Sequence, residues 1–168
     1  AVGPKGTVIS FEPVPRNIGF LCRHLDLNRA TNVTVLPLAC AESESVENFI
    51  EGDDCSSGSL AKSAKDLGVT TERHRQGVVA TVTLDSIVDR LRVRPDLIKI
   101  DVEGAEFRVL SGATKVLTVG KPRILLSVHS AQLRNECLAL LNQLQYRVVP
   151  LDNPVAEEAM EYLVEPTI

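Results

Sequence analysis

Short apolar runs and helix-period stripes alternate along this chain, and their order predicts its architecture. Thr7–Phe11 reads as a strand. Pro13 and Pro15 then open a helix whose Ile18, Leu21, Cys22 and Leu25 share one face before Asn28 closes it. Val33–Leu38 is the next strand, giving a β-α-β unit whose right-handed crossover builds a parallel sheet. Glu42–Arg75 breaks the pattern. It is polar, rich in Ser, Gly and Asp, with Val46–Ile50 its only strand-like piece, and reads as a long surface excursion of the kind that forms lids. Val78–Thr83 alternates as a strand, and Leu84, Ile87, Val88 and Leu91 mark a short helix that ends before Pro95. Leu97, Ile98 and Ile100 form a buried strand, and Val109, Leu110, Ala113 and Leu117 line one face of the helix after it. Arg123–His129 is a second buried strand, followed by a helix marked by Leu133, Cys137, Leu140, Leu141 and Leu144. Tyr146–Leu151 and Met160–Val164, separated by a turn at Asn153 and Pro154, read as an antiparallel pair at the sheet's edge. The expected fold class is α/β, a mostly parallel sheet with an antiparallel C-terminal strand.

Composition narrows this picture. With 168 residues, 44% of them hydrophobic, and no long polar tract to divide them, one domain with a real core spans residues 1–168. A net charge of −4 and no basic cluster exclude a nucleic-acid backbone as the main partner. The apolar stretches are strand-sized, and no charged-then-apolar leader opens the chain, so a cytoplasmic protein with no membrane partner is expected. Cys22, Cys40, Cys55 and Cys137 form no CxxC pair and read as reduced, structural thiols. His24, His74 and His129 show no metal-ligand spacing, so no metal is expected.

The chemistry concentrates in Asp96–Ala113, DLIKIDVEGAEFRVLSGA, which joins a buried strand, an acidic turn and an amphipathic helix. Asp101 and Glu103 sit where the strand ends, and Gly104 lets the backbone turn sharply. In open α/β sheets ligands bind outside the carboxyl ends of the strands, so Asp101 is a candidate site residue. Acidic residues in a helix's first turn are also favoured by its dipole; that reading competes for Glu103 and is preferred for Glu106. His129 ends the strand expected beside the one leading to Asp101. Neighbouring strands lie about 4.8 Å apart, so the two side chains can face one pocket. A histidine there can take a proton near neutrality, or can be a packed, hydrogen-bonded residue; both readings stay open.

Phe11-Glu12-Pro13, Thr83-Leu84-Asp85, IKIDVEGAE from Ile98 to Glu106, and Pro122–His129 together resemble the FkbM-type S-adenosylmethionine-dependent methyltransferases. The match runs in order from about Lys5 to the C-terminus, and IKIDVEGAE is its most specific part. The resemblance implies a Rossmann-like fold with strand order 3-2-1-4-5-7-6, strand 7 antiparallel. It implies S-adenosyl-L-methionine as cofactor and O-methylation of a hydroxyl on a sugar, glycan or secondary metabolite. Glu12 then gains a role: an acid ending the second strand accepts hydrogen bonds from the ribose hydroxyls, against the alternative of a solvated strand end beside two prolines. Ala39–Ala41 falls where the family places its adenine edge, making Ala39 and Ala41 cofactor candidates with Glu12 and Asp101. The loop from Cys55 to Leu60 resembles the family's serine-rich segment near the acceptor. Ser57 and Ser59 are therefore candidates for a substrate or lid role with Glu103, against an ordinary polar turn. Asp101 and His129 are the catalytic candidates.

Two departures bear on this reading. The family's first strand and glycine-rich turn should precede Ala1; Gly3-Pro4-Lys5-Gly6 reads instead as a tight turn. A truncated version of a longer protein is expected, or a strand supplied by another chain, because an unpaired gap at mid-sheet is costly. Such an exposed strand lip could also drive formation of a homodimer. Second, Ser127 stands where the family commonly carries a glutamate two residues before the histidine, which puts the acceptor class or the activity in question. Two alternatives follow from these departures. One is a non-catalytic methyltransferase-fold remnant acting as an interaction module. The other is a fragment of a NAD-binding oxidoreductase, since an acid after the second strand is also a nicotinamide-dinucleotide signature.

Overall fold

In the computed structural model, residues 2–3, 5–51, 58–61, 63, 75–153 and 158–167 are described. Strand β1 (Val8–Phe11) lies parallel to β2 (Val33–Leu36), with Val8 opposite Val33 and Phe11 opposite Leu36. Helix α1 (Pro15–Leu27) makes the crossover. Proline at its start loses no helical hydrogen bond, and the side chain of Asn28 closes its end on the His24 carbonyl at 2.8 Å. None of its residues is fully buried.

A second sheet has the order β3-β6-β4-β5, built from Ala39–Cys40, Arg75–Val82, Ser45–Glu51 and Gly58–Leu60. Here the structure corrects the sequence reading. The first part of the expected surface excursion is a seven-residue strand, β4, paired antiparallel with β6 from Ser45↔Thr81 to Glu51↔Arg75. Phe49 and Ile50 are buried, so this stretch belongs to a layer of the fold. Alternation had revealed Val46–Ile50 as strand-like, but its partner lies across a long insertion that periodicity cannot bridge. Cys55, Ser57 and most of the Ser- and Gly-rich remainder lie outside the described residues.

Thr83 caps helix α2 (Leu84–Leu91), its hydroxyl accepting from the Ser86 amide at 3.1 Å. The third sheet has the order β7-β8-β10-β9: Leu97–Ile100, Arg123–Ser127, Glu161–Pro166 and Tyr146–Pro150. Helix α3 (Glu106–Ser111) follows β7 and gives way to a wider π-helical turn at Val116–Gly120, and α4 (Ala131–Gln143) follows β8. As expected, the last two strands are antiparallel, with Leu163 opposite Val149.

The sheets are mixed rather than mostly parallel. Pairs β1–β2, β3–β6 and β7–β8 run parallel, whereas β4–β5, β4–β6, β8–β10 and β9–β10 run antiparallel. The fold is therefore α/β with mixed sheets. Its main core joins Val109, Leu110, Ala113 and Leu117, the predicted helix face, to Ile124 and Leu126 of β8, Cys137 and Leu141 of α4, and Tyr162 and Val164 of β10. Each fully buried leucine contributes about 2 kcal/mol of transfer free energy. A smaller cluster of Val14, Ala39, Ala41, Phe49, Leu60 and Ala105 gathers the start of α1, the second sheet and the turn after β7.

Candidate active site

The two parallel strands β7 and β8 end on the same side of their sheet, and the turns that follow carry the charged residues. Ile100 is buried, so the next residue, Asp101, emerges at the rim, half exposed and paired with Lys99. An exposed pair of this kind contributes little to stability. Strand β8 stops at Ser127, two residues earlier than expected, where Val128 turns to bond the Met160 carbonyl at 2.9 Å. His129 thus sits in the bend before Ser130, the residue that caps α4. This places the imidazole over the acidic turn.

Its Nδ1 lies 2.5 Å from Glu106 Oε1, and its Nε2 faces Glu103 Oε1 at 3.6 Å and Asp101 Oδ1 at 3.7 Å. Glu106 is fully buried, and the same Oε1 accepts the Gly104 amide at 3.1 Å. Gly104 adopts φ +86°, a conformation that costs glycine little and other residues much. Glu106 was expected to serve the helix dipole; instead, its carboxylate braces the turn and orients the histidine. One signal for this was readable. Glu106 lies three and four residues before Val109 and Leu110, on the helix face that packs inward. A charge on a buried face needs a partner.

The hydrogen bond to Glu106 raises the His129 pKa above its ordinary value; burial opposes this, and the charges of Glu106, Glu103 and Asp101 add to it. With a carboxylate at Nδ1, the neutral ring carries its proton there and leaves Nε2 as the acceptor. A histidine held by a carboxylate in this way can act as a base, the arrangement that proton abstraction from a hydroxyl uses.

Ser59 of β5 is buried and donates to the Glu103 carbonyl at 2.6 Å, so the second sheet clamps the acidic turn. Arg108, two residues past Glu106, makes a second clamp by binding Glu42 through Nε at 2.5 Å and Glu47 through Nη2 at 2.6 Å. Burial lowers the Arg108 pKa, but the hydrogen bonds to Glu47 and Glu42 outweigh it and hold the guanidinium above its usual value. Ser127 donates to Glu161 Oε2 at 2.9 Å, its register partner on β10. A carboxylate therefore stands beside position 127 although the residue itself is serine.

Glu12 lies at the end of β1, half buried. Among the described residues, its Oε1 accepts the Val14 amide at 2.8 Å and its Oε2 accepts from Asn17 Nδ2 at 3.5 Å. One oxygen thus serves the start of α1, and the other has capacity for a hydroxyl donor. Ala39 and Ala41 are packed inside the smaller cluster. Ala41 has no exposed surface, and its carbonyl lies so close to Gly112 that a Cβ there would meet it at 2.1 Å. These alanines provide packing rather than an open rim. The smaller cluster also joins Val14 to Ala105, and so brings the segment after Glu12 against the turn that carries Glu103 and Glu106.

A family model for the methyltransferase FkbM domain matches residues 1–148. The chain belongs to the FkbM methyltransferase domain family. Among solved structures, it is similar to the crystal structure of methyltransferase FkbM from Methylobacillus flagellatus KT, with 21% identity and a TM-score of 0.55. That likeness, which speaks for the fold alone, covers 94% of this chain and 36% of the other, so the chain spans about a third of that structure's length. No curated protein matches it. Membership of the FkbM family makes this chain methyltransferase-like, and the histidine-carboxylate cluster is its candidate catalytic centre. No described helix is long and apolar enough to cross a membrane.

Proposed function

We propose that this FkbM-domain chain serves S-adenosylmethionine-dependent transfer of a methyl group to a hydroxyl of a sugar, glycan or secondary metabolite. The observation that carries the proposal is the His129–Glu106 pair, 2.5 Å apart at the carboxyl ends of the parallel strands, with Nε2 directed towards Asp101 and Glu103. His129 Nε2 accepts the acceptor hydroxyl's proton as its oxygen attacks. Glu106 holds the ring and its Nδ1 proton in place, and the nearby carboxylates of Asp101 and Glu103 stabilise the imidazolium that results. The Glu12 oxygen that accepts weakly from Asn17 has room for a ribose hydroxyl, whereas the buried alanines offer no adenine contact without movement. Bound S-adenosylmethionine supplies the electrophilic methyl group. Glu161 restores a carboxylate beside Ser127, which supports an active rather than a remnant site. The strand orders β2-β1 and β7-β8-β10-β9 support a Rossmann-like reading as 3-2 and 4-5-7-6.

Calorimetry of the purified protein with S-adenosylhomocysteine tests the cofactor half, and methyl transfer to a panel of hydroxylated glycans tests the rest. Glu12→Ala is expected to weaken binding. His129→Ala is expected to bind normally while losing about a hundredfold or more in rate. No binding to S-adenosylhomocysteine, or an undiminished rate in His129→Ala, would refute the proposal.

A further inference from the structure

The opposite ends of β7 and β8 carry the reverse charge. A groove of about 720 Å³ opens there, lined among others by Arg94, Asp96, Lys121, Arg123, Arg147 and Glu165. Four cations face two carboxylates, in a chain whose net charge is −4. Their pairing matters more than their number. Arg147 is bound to Glu165, which largely cancels both charges. Arg94 and Lys121 are held by neutral groups instead. Arg94 Nη2 donates to the Gly120 carbonyl at 3.3 Å, and Lys121 Nζ donates to the Leu144 carbonyl at 2.7 Å while lying 5.2 Å over the Tyr146 ring. A carbonyl fixes a cation's position without neutralising it, and guanidinium and ammonium groups each have further N–H donors. The Arg123 side chain makes no hydrogen bond or ion pair among the described residues, and Asp96 is the one remaining counter-charge in this lining.

Lys121 adds a second observation. It is a non-glycine residue at φ +51°, the left-handed cap that ends the π-helical turn, with its amide bonded to the Val116 carbonyl. The helix cap and the bond to the Leu144 carbonyl together hold its ammonium at the groove. An excess of cations over carboxylates at one open groove favours a multiply charged anion.

We propose that this groove binds a pyrophosphate-bearing small molecule, its oxyanion held by Arg94, Lys121 and Arg123. The site is distinct from the histidine-carboxylate cluster and independent of the methyl-transfer reading.

Titration with inorganic pyrophosphate, followed by calorimetry at low and moderate salt, tests it. Saturable binding that weakens with salt is expected, along with about a tenfold loss in Arg123→Ala, the equivalent of one charge-assisted hydrogen bond. Arg123→Ala breaks no contact among the described residues, so folding is not at issue. Arg123→Lys should recover part of the affinity, and His129→Ala should leave it unchanged. Absence of saturable binding, or equal affinity in Arg123→Ala, would overturn the proposal. So would sedimentation with phosphatidylglycerol vesicles that needs Arg123 and does not yield to pyrophosphate, because the groove would then serve a lipid surface.

Discussion

Arg108→Met removes the cation that fastens α3 to the second sheet while keeping most of the side-chain stem. Its two carboxylate partners are unequal. Glu47 is 8% exposed and Glu42 39%, so the arms of one guanidinium sit in different solvent. Without Arg108, the Glu47 charge is left buried, with its Oε2 already lacking a hydrogen-bond partner. Breaking a buried pair from one side costs about 3–5 kcal/mol, a large part of a typical domain's stability. Glu42→Gln, at the wetter arm, should cost less than about 1 kcal/mol. The double variant Arg108→Met/Glu47→Leu replaces both buried charges with apolar groups and should recover to within about 1 kcal/mol of the parent. Urea unfolding at equilibrium reads all three as midpoint shifts at constant slope. In a thermal scan, Arg108→Met should lower Tm by roughly 6–20 °C for a domain of this size. Equal losses in Arg108→Met and Glu42→Gln, or a double variant no better than Arg108→Met, would refute the assignment of cost to the stranded Glu47 charge.

Three further outcomes are expected. Glu106→Gln should move the His129 titration to lower pH, as followed by imidazole proton resonances; an unmoved titration would deny the coupling. In the parent, the stabilisation from protonated His129 is fully present below the ordinary value of 6.5 and is lost as pH rises through the raised folded value. A base at Nε2 therefore gains activity over that same rise, and Glu106→Gln should shift the limb downward. Gly112→Ala should destabilise by about 1–3 kcal/mol, because the added Cβ meets the Ala41 carbonyl, whereas Gly19→Ala, with nothing within 4 Å, should stabilise slightly; similar unfolding midpoints would contradict the packing. Of the three described cysteines, exposed Cys22 should react first with a thiol reagent in the native state. Burial pushes the Cys40 and Cys137 thiols up to about 12, so peptide mapping should find them unmodified until unfolding.

The sequence by itself determined the elements that follow local periodicity. The helix face Val109, Leu110, Ala113 and Leu117, the β-α-β start and the antiparallel terminal pair were all legible, because each depends on side chains a few residues apart. So were Asp101 and His129 as neighbours, since both follow strands of one parallel pair. Glu106 was half legible, its charge on an apolar face being the signal that the dipole argument obscured. Tertiary structure decided the rest. The Glu106–His129, Ser127–Glu161 and Ser59–Glu103 contacts join residues 23, 34 and 44 positions apart. Such contacts exist only once strand register and helix placement are set. Periodicity specifies which face of an element is buried; it does not specify which residue of another element that face will meet. The same limit hid the second sheet, whose strand β4 was visible but whose partner was not, and the basic groove, whose cations Arg94, Lys121, Arg123 and Arg147 come from three stretches of chain that only the fold brings to one end of the sheet.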